Sequence, residues 1–165
     1  PDMIGGGEYT CFLNGNENAC TPEMFVRYAQ IAALMPVMQF SASPWRVLPE
    51  ADFQKVKDAL ALREKCLPEI LKAVECAKVT GEPIVRSMEF VFPGQGMERV
   101  MDQFMVGEDL LVAPVWKQGE VARSVRLPEG QWRCVGLGET EGDVLNGGRD
   151  VILGENEGLV VLKRV

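Results

Sequence analysis

The sequence predicts an α/β segment followed by an all-β domain, because the spacing of its hydrophobic residues changes near residue 82. Before that point, apolar residues recur at three- and four-residue intervals, as on the buried face of a helix. After it, apolar positions roughly alternate with others, as in half-buried strands. Turn sequences at 93–96, 107–109, 128–130 and 146–148 add a rhythm typical of an antiparallel sandwich.

Composition limits the classes of partner. The chain has 165 residues, of which 47% are hydrophobic, enough for one domain or two small ones with a sizeable core. Its 17 Lys and Arg against 24 Asp and Glu give a net charge of −7, and no basic run is present. We therefore expect no nucleic-acid partner. The longest apolar run, residues 31–38, contains Pro36 and falls far short of the ~20 residues of a membrane helix, so we expect no membrane span.

Cysteine and histidine usage excludes several kinds of chemistry. The chain has no histidine and five cysteines, none in a CxxC pair: Cys11, Cys20, Cys66, Cys76 and Cys134. Classical zinc sites and histidine-dependent nucleophiles are therefore absent from this polypeptide. We expect structural thiols, with Cys66 and Cys76 buried among apolar helical residues. The odd, scattered set suits a reducing compartment, which predicts a cytoplasmic location.

The first half contains two predicted helices around a short strand. Thr21 is placed to cap a helix that begins at Pro22 and runs to Met35, where Pro36 ends it. Residues 37–41 form a short apolar strand with polar and aromatic groups at its end. The second helix, from 50 to about 80, has an amphipathic stripe, which Pro68 is expected to kink or restart. Gly81 and Pro83 supply its stop signal.

The second half is predicted to consist of strands, including one that alternates through Met88, Phe90 and Phe92. We place the domain boundary so that residues 1–81 and 82–165 form separate units. Two strand and helix units cannot close a parallel sheet, so the first unit is expected to need a partner outside this chain. The first residues show neither a signal peptide nor an initiator methionine, which suggests the interior of a longer protein.

Four segments in this order carry a family resemblance: "PDMIGGG" (1–7), "RYAQIAALMPVMQFSASPW" (27–45), "TGEPIVRSMEFVFPGQG" (80–96) and "DQFMVGEDLLVAPV" (102–115). Together they resemble the C-terminal part of a glycoside hydrolase family 31 enzyme. The resemblance implies that the first unit is the end of a (β/α)8 TIM barrel, from the end of strand seven to helix eight. It also implies that the second unit is the adjoining antiparallel β-sandwich.

The same resemblance implies an activity. Members of the family are retaining α-glycosidases that use one aspartate as nucleophile and another as general acid and base, held close together. Both aspartates would lie upstream of Pro1, so this piece alone is expected to hydrolyse nothing. No cofactor is implied. The expected partners are an α-glycoside substrate and the upstream part of the same barrel.

Two departures from the family pattern bear on the substrate. Most members place a histidine after the eighth strand, in an Arg-x-His pattern that hydrogen-bonds the sugar, whereas the aligned residues here are Gln39, Phe40 and Ser41. Gly6 replaces the usual aromatic residue four positions after the strand-seven aspartate. These changes alter the hydrogen-bonding groups and the space around the sugar. The pattern resembles the subgroup of bacterial α-galactosidases and the animal myogenesis-regulating glycosidase, which makes an α-galactoside the first candidate substrate, ahead of an α-glucoside or α-xyloside.

Three residues are candidates for substrate binding, each with a structural alternative. Asp2 either positions pocket groups at the barrel mouth or caps the following glycine turn. Ser41 either contacts the sugar or forms a turn. Trp45 either floors a sugar subsite or packs its loop against the last helix. The run 5–7 indicates a close backbone approach rather than a phosphate cradle, because the glycine spacing of a nucleotide loop is missing.

Other polar residues are expected to be structural. Arg27 and Gln30 are interpreted as hydrogen-bonding groups within the fold, and Asp102 and Gln103 as ties between sandwich and barrel.

The alternative function is a non-catalytic carbohydrate-binding or assembly β-sandwich. In that case the apolar helix at 21–35 and the strand at 37–41 would form an exposed patch that soluble monomers avoid.

Overall fold

A six-stranded antiparallel sheet organises the computed structural model, which describes residues 3–6, 20–136, 142–153 and 159–165. The helices are α1 (Pro22–Ala33), α2 (Pro44–Val47), α3 (Glu50–Thr80) and α4 (Met88–Val91). The strands are β1 (Val85–Ser87), β2 (Phe104–Val106), β3 (Leu110–Pro114), β4 (Arg123–Leu127), β5 (Gln131–Cys134), β6 (Val144–Asn146), β7 (Arg149–Leu153) and β8 (Leu159–Arg164). None of the described helices combines the length and apolar character needed to cross a membrane.

The strands follow the order β1-β2-β3-β8-β5-β6 in the large sheet, and β4 pairs with β7 in a second, two-stranded sheet. All of these pairings are antiparallel, which confirms the predicted antiparallel β structure after residue 82. The predicted turn sequences lie between strands. Gly107, with φ of 62°, turns the chain between β2 and β3, and Gly148, with φ of 74°, turns it between β6 and β7.

The centre of the large sheet is buried on both faces: every residue of β3 and the first four residues of β8 are buried. Side chains of successive strand residues point to opposite sides of the sheet. On β3, Leu110 and Val112 pack with residues of α1 and α3, whereas Leu111 and Ala113 pack toward β4 and β7. Strand β8 follows the same alternation. The two-stranded sheet therefore covers one face of β3 and β8, and the helices cover the other, so the buried centre of the sheet depends on the helices.

Helix α1 follows the prediction at its start and ends two residues early. The Thr21 hydroxyl oxygen accepts a hydrogen bond from Met24 N at 3.2 Å. The helix ends at Ala33, with Leu34 as its C-cap, rather than at Met35. Helix α3 runs for 31 residues through Pro68, so of the two predicted effects of this proline a restart is wrong and a kink stays a prediction. Gly81, with φ of 76°, provides the left-handed stop.

The predicted strand through Met88, Phe90 and Phe92 is wrong, because this stretch forms the helical turn α4. The Ser87 hydroxyl caps it by accepting from Phe90 N at 3.3 Å. Met88 and Phe92 are buried together, whereas Phe90 is 50% exposed. Positions i and i+4 share a face in both a helix and a strand, and only the position of i+2 distinguishes them, which explains the error.

The predicted strand at 37–41 is reduced to a single parallel bridge between Ile4 and Phe40. Ile4 N donates to Gln39 O, and Ser41 N donates to Ile4 O, both at 2.9 Å. Parallel pairing across a helical connection is the unit from which β/α barrels are built. The barrel itself stays a prediction, because the described residues contain no parallel pairing beyond this bridge.

Candidate functional site

The candidate site is a rim formed by two neighbouring segments, 3–6 and 37–47. At its base, Ile4 is fully buried and packs with Phe25 of α1 and with Phe40. The rings of Phe25 and Phe40 stack with centroids 6.2 Å apart and an interplanar angle of 21°. Phe40 thus points toward α1. Because side chains alternate along an extended segment, Gln39 and Ser41 lie on the opposite face.

That opposite face is exposed. Gln39 Nε2 donates to Met3 Sδ at 3.6 Å, which places these two side chains beside each other. Met3 is 46% exposed and Val37 is 67% exposed, and Ser41 is exposed as well. This face exposes two apolar side chains and one amide to solvent. Exposed apolar surface of this kind is typical of a site that binds further protein or a ligand.

Glycine is required where the first segment meets α1. Gly5 has φ of 72°, and a Cβ atom there would lie 2.2 Å from Phe25 Cε2. A Cβ atom on Gly6 would lie 2.5 Å from the Met3 carbonyl oxygen, so an aromatic side chain does not fit this backbone at that position. The predicted close backbone approach is confirmed at Gly5. Gly7 lies outside the described residues.

The three predicted binding residues have different outcomes. Asp2 lies outside the described residues. Ser41 lies on the same exposed face as Gln39, next to the bridge with Ile4. Trp45, on the short helix α2, is 66% exposed, so its ring is not buried between its loop and α3 as the packing alternative expected. Their roles in binding stay predictions.

Arg63 anchors the entry to the rim, a role that sequence analysis missed. Its Nη1 donates to Ala33 O at 2.7 Å and to Met35 O at 2.6 Å, and its Nη2 donates to Pro36 O at 3.1 Å. These carbonyls lie at the end of α1 and just before residue 37. The guanidinium of α3 therefore satisfies the helix terminus and holds the segment that leads to Gln39. An arginine within a helical stripe gives no sequence signal for a contact some 30 residues away.

Another missed feature is the loop after β3, which docks on the start of α1. Arg27 Nη2 donates to Glu120 O at 2.7 Å, and Gly119 N donates to Glu23 Oε1 at 2.8 Å. The expected structural role of Arg27 is confirmed. This contact, which joins α1 to the β half, is the type of tie that was expected from Asp102 and Gln103.

Asp102 and Gln103 instead act within the β structure. Asp102 Oδ2 pairs with Arg123 Nη2 at 2.7 Å. The Gln103 side chain donates to Arg126 O at 2.8 Å and accepts from Arg126 N at 3.0 Å, which imitates a strand partner for β4. The prediction that these two residues connect sandwich and barrel is therefore wrong, because their partners belong to β4.

A cleft between α3 and the β2–β3 turn is a second concave region, and its basic side chains Lys72 and Arg86 are each paired with a carboxylate. Lys72 Nζ lies 2.7 Å from Asp109 Oδ2, and Arg86 Nη2 lies 3.0 Å from Glu82 Oε2. The hydrogen bond to Asp109 raises the pKa of Lys72. The pair of Lys72 and Asp109 joins α3 to the β2–β3 turn, and the pair of Arg86 and Glu82 is local. In the described ranges, no group of three His, Cys, Asp or Glu side chains could hold a metal ion.

The rim can bind polar ligands, and in its described part it lacks groups for hydrolysis. An amide, a hydroxyl and an exposed aromatic ring lie along segments 37–47, and no carboxylate occurs in segments 3–6 or 37–47. Such a set donates and accepts hydrogen bonds and stacks on apolar ring faces. It provides no pair of carboxyl groups that could serve as acid and base.

Comparison with known proteins agrees with the resemblance in the motifs. A profile described as the glycosyl hydrolase family 31 C-terminal domain matches residues 81–151. The myogenesis-regulating glycosidase of Mus musculus is 38% identical over 136 residues, which cover 81% of this chain and 19% of that protein. A sulfoquinovosidase of Agrobacterium fabrum is 32% identical over 160 residues, covering 90% of this chain and 22% of that protein. The chain thus spans about a fifth of the length of these relatives.

A solved structure shares the fold. The crystal structure of a family 31 α-xylosidase from a soil metagenome, complexed with xylose, superposes with a TM-score of 0.74 at 28% identity. The match covers 87% of this chain and 25% of that one. It therefore includes most of the helices as well as the sheets described above.

Proposed function

Because the chain belongs to glycoside hydrolase family 31, we propose that it forms one side of the sugar pocket in a retaining α-glycosidase. Residues 1–81 would be the C-terminal part of the catalytic barrel and 82–165 the adjoining sandwich. The catalytic aspartate pair would lie upstream, so the piece alone would be inactive. The observation that carries the proposal is the parallel bridge between Ile4 and Phe40, with the exposed face of Gln39 and Ser41 beside it.

Exposed apolar surface supports a missing upstream partner. On α3, Leu67 and Leu71 are 39% and 53% exposed and lie four residues apart on one face. Met3 and Val37 are exposed beside Gln39 on the open face of the rim. In a closed barrel the upstream helix would cover the patch on α3, as patches of this kind require in a stable protein, whereas the open face of the rim would border the substrate pocket.

The packing of the sheet favours this proposal over an independent binding sandwich. Removal of residues 1–81 would uncover the face of the large sheet that carries Leu110, Val112 and Val161, all at most 1% exposed. A module that works alone would need that face to be polar. The β half is therefore built to lie against helices.

For the substrate, we propose an α-galactoside first, with an α-glucoside or α-xyloside as the next candidates. A short hydroxyl side chain at Ser41 leaves room for the axial hydroxyl that distinguishes galactose from glucose at carbon 4. Asp2 would position pocket groups at the mouth, and the exposed Trp45 would offer a face to a sugar ring. A reducing compartment, such as the cytoplasm, would suit Cys20, Cys66, Cys76 and Cys134, which form no disulfide with one another.

The test compares the full-length parent protein on paired chromogenic α-galactoside and α-glucoside substrates, with the 165-residue chain as the negative control. We expect preference for the galactoside. Ser41→Ala should lower kcat/KM about tenfold through one lost hydrogen bond. Ser124→Ala, a matched change at an exposed serine of β4, should leave it unchanged. Preference for the glucoside with no effect of Ser41→Ala would reject the assignment of substrate and contact.

A further inference from the structure

The amide of Gln39 is a polar group on the same exposed face as Ser41, two residues earlier along the chain. This placement follows from Phe40 between them, which is stacked on Phe25 and so points the other way. Two residues of extended chain span about 7 Å, so a single ligand resting on this face can reach both side chains. The amide lies nearer the start of segment 37–47 than the hydroxyl does.

The side chain of Gln39 is exposed, so most of its hydrogen-bonding groups are open to solvent or to a ligand. A glutamine side chain carries two N–H donors and one carbonyl acceptor. In the part of the chain that the structure describes, this amide makes one hydrogen bond, from Nε2 to Met3 Sδ at 3.6 Å. A thioether is a weak acceptor. Gln103 shows the contrast, because its buried amide uses both its oxygen and its nitrogen on Arg126.

Met3 is held in a conformation that brings it to Gln39. Its φ is 62°, in the left-handed region that a methionine seldom adopts. Gly6 N donates to Met3 O at 2.6 Å, which closes a tight turn around it. With the nitrogen directed at sulfur, the carbonyl oxygen Oε1 is the strong acceptor that the amide offers to a ligand.

We infer that Gln39 is a specificity-determining residue whose side-chain carbonyl accepts a hydrogen bond from one hydroxyl of the bound sugar, with Met3 as the positioning residue that orients the amide. The inference rests on the proposed α-glycosidase function. It adds to Ser41 a second polar contact with the sugar on the exposed face of the rim. A carbonyl acceptor here selects sugars that carry a hydroxyl at the matching carbon over those that lack it, since loss of one partner leaves the other unsatisfied.

The test removes the same hydrogen bond from each side, in the full-length parent protein. Gln39→Met keeps the length of the side chain and removes the amide, and Gln54→Met makes the same change at an exposed position of α3. Each variant is assayed with the preferred glycoside and with its 2-, 3-, 4- and 6-deoxy analogues. We expect kcat/KM of Gln39→Met to fall about tenfold on the intact glycoside and to be unchanged on one deoxy analogue. Met3→Leu should show a smaller loss with the same hydroxyl dependence, and Gln54→Met none.

Equal losses on every analogue, or no loss at all, would overturn the inference. A parent protein without activity on any α-glycoside would reject the proposed function separately. Calorimetric titration with galactose and glucose then decides the role of Gln39, because weaker binding by Gln39→Met than by Gln54→Met supports the contact. Equal binding by these variants, or no sugar binding by the unaltered protein, overturns it.

Discussion

Ile4 and Phe40 form a parallel pair that separates two environments, with the buried face of α1 on one side and an open polar face on the other. Both side chains belong to the core around Phe25. The backbone of Ile4 bonds to the residues on either side of Phe40, since Ile4 N donates to Gln39 O and Ser41 N donates to Ile4 O, both at 2.9 Å. Any change that moves this pair relative to α1 should therefore move Gln39 and Ser41 as well. The contact of Gly5 with Phe25 and the hydrogen bonds of Arg63 hold this arrangement in place.

Gly5 should be intolerant of any side chain. In Gly5→Ala the new Cβ atom would lie 2.2 Å from Phe25, in addition to the strain of a φ of 72°. We expect a loss of more than about 3 kcal/mol in the free energy of unfolding, from strain and overpacking together. Gly94→Ala has nearly the same φ, 75°, with nothing within 4 Å, and should lose only about 1–2 kcal/mol. Urea unfolding of the full-length parent checks this, and equal losses would show that the contact with Phe25 is absent.

Arg63 should contribute both to the stability of the protein and to sugar binding at the rim. Arg63→Met removes charged donors from the carbonyls of Ala33, Met35 and Pro36, which we expect to cost about 2–3 kcal/mol. Because Pro36 leads directly into the rim, the variant should also weaken sugar binding. Arg133→Met, at an exposed position of β5, serves as the control for loss of one positive charge. Unfolding and calorimetric titration of the parent measure both effects, and unchanged values for Arg63→Met would contradict the anchoring role.

Cys66 should resist alkylation in the native state. Burial, with a smaller contribution from the Glu69 carboxylate, raises the pKa of its thiol to about 11. At pH 8 only about one molecule in a thousand would then carry the reactive thiolate. Cys76, ten residues along the same helix and partly exposed, is the internal control. Mass spectrometry after iodoacetamide treatment should find Cys76 modified and Cys66 intact until denaturant is added, and equal modification would place Cys66 at the surface.

The same thiol should make stability depend on alkaline pH. The folded-state pKa of about 11 lies above the ordinary thiol value of 9.0, so the neutral thiol is favoured by folding. Its contribution is fully present below pH 9 and is lost as the pH rises through about 11. The free energy of unfolding should therefore decline less steeply between these values in Cys66→Ala than in the unaltered parent. Parallel slopes would contradict the assigned pKa.

Local sequence signals predicted elements whose cause is local. Thr21 before Pro22 predicted the start of α1, and the turn glycines predicted where the antiparallel strands end, because capping and positive φ depend on neighbouring residues. The segment at Met88 was wrongly predicted as a strand because the spacing of Met88 and Phe92 fits both a strand and a helical turn. The capping residue Ser87, which indicates the helical turn, is a weak sequence signal.

Long-range partners explain what could not be predicted at the site. Ser41 was found through its family position, whereas the contact of Gln39 with Met3 joins segments 36 residues apart. Asp102 was assigned the wrong partner, since nothing near it in the sequence indicates Arg123. The exposure of Trp45 could not be predicted either, because it depends on whether the surrounding structure covers the ring.

In the most direct measurement, the upstream part of the parent and this 165-residue chain are expressed as two polypeptides. Hydrolysis of an α-galactoside and of an α-glucoside is then measured for each polypeptide alone and for both together. The account predicts no hydrolysis by either piece and recovery of activity when they are combined, because one supplies the catalytic aspartates and the other the wall with Gln39 and Ser41. Hydrolysis by the 165-residue chain alone, or full activity of the upstream part without it, would contradict the account.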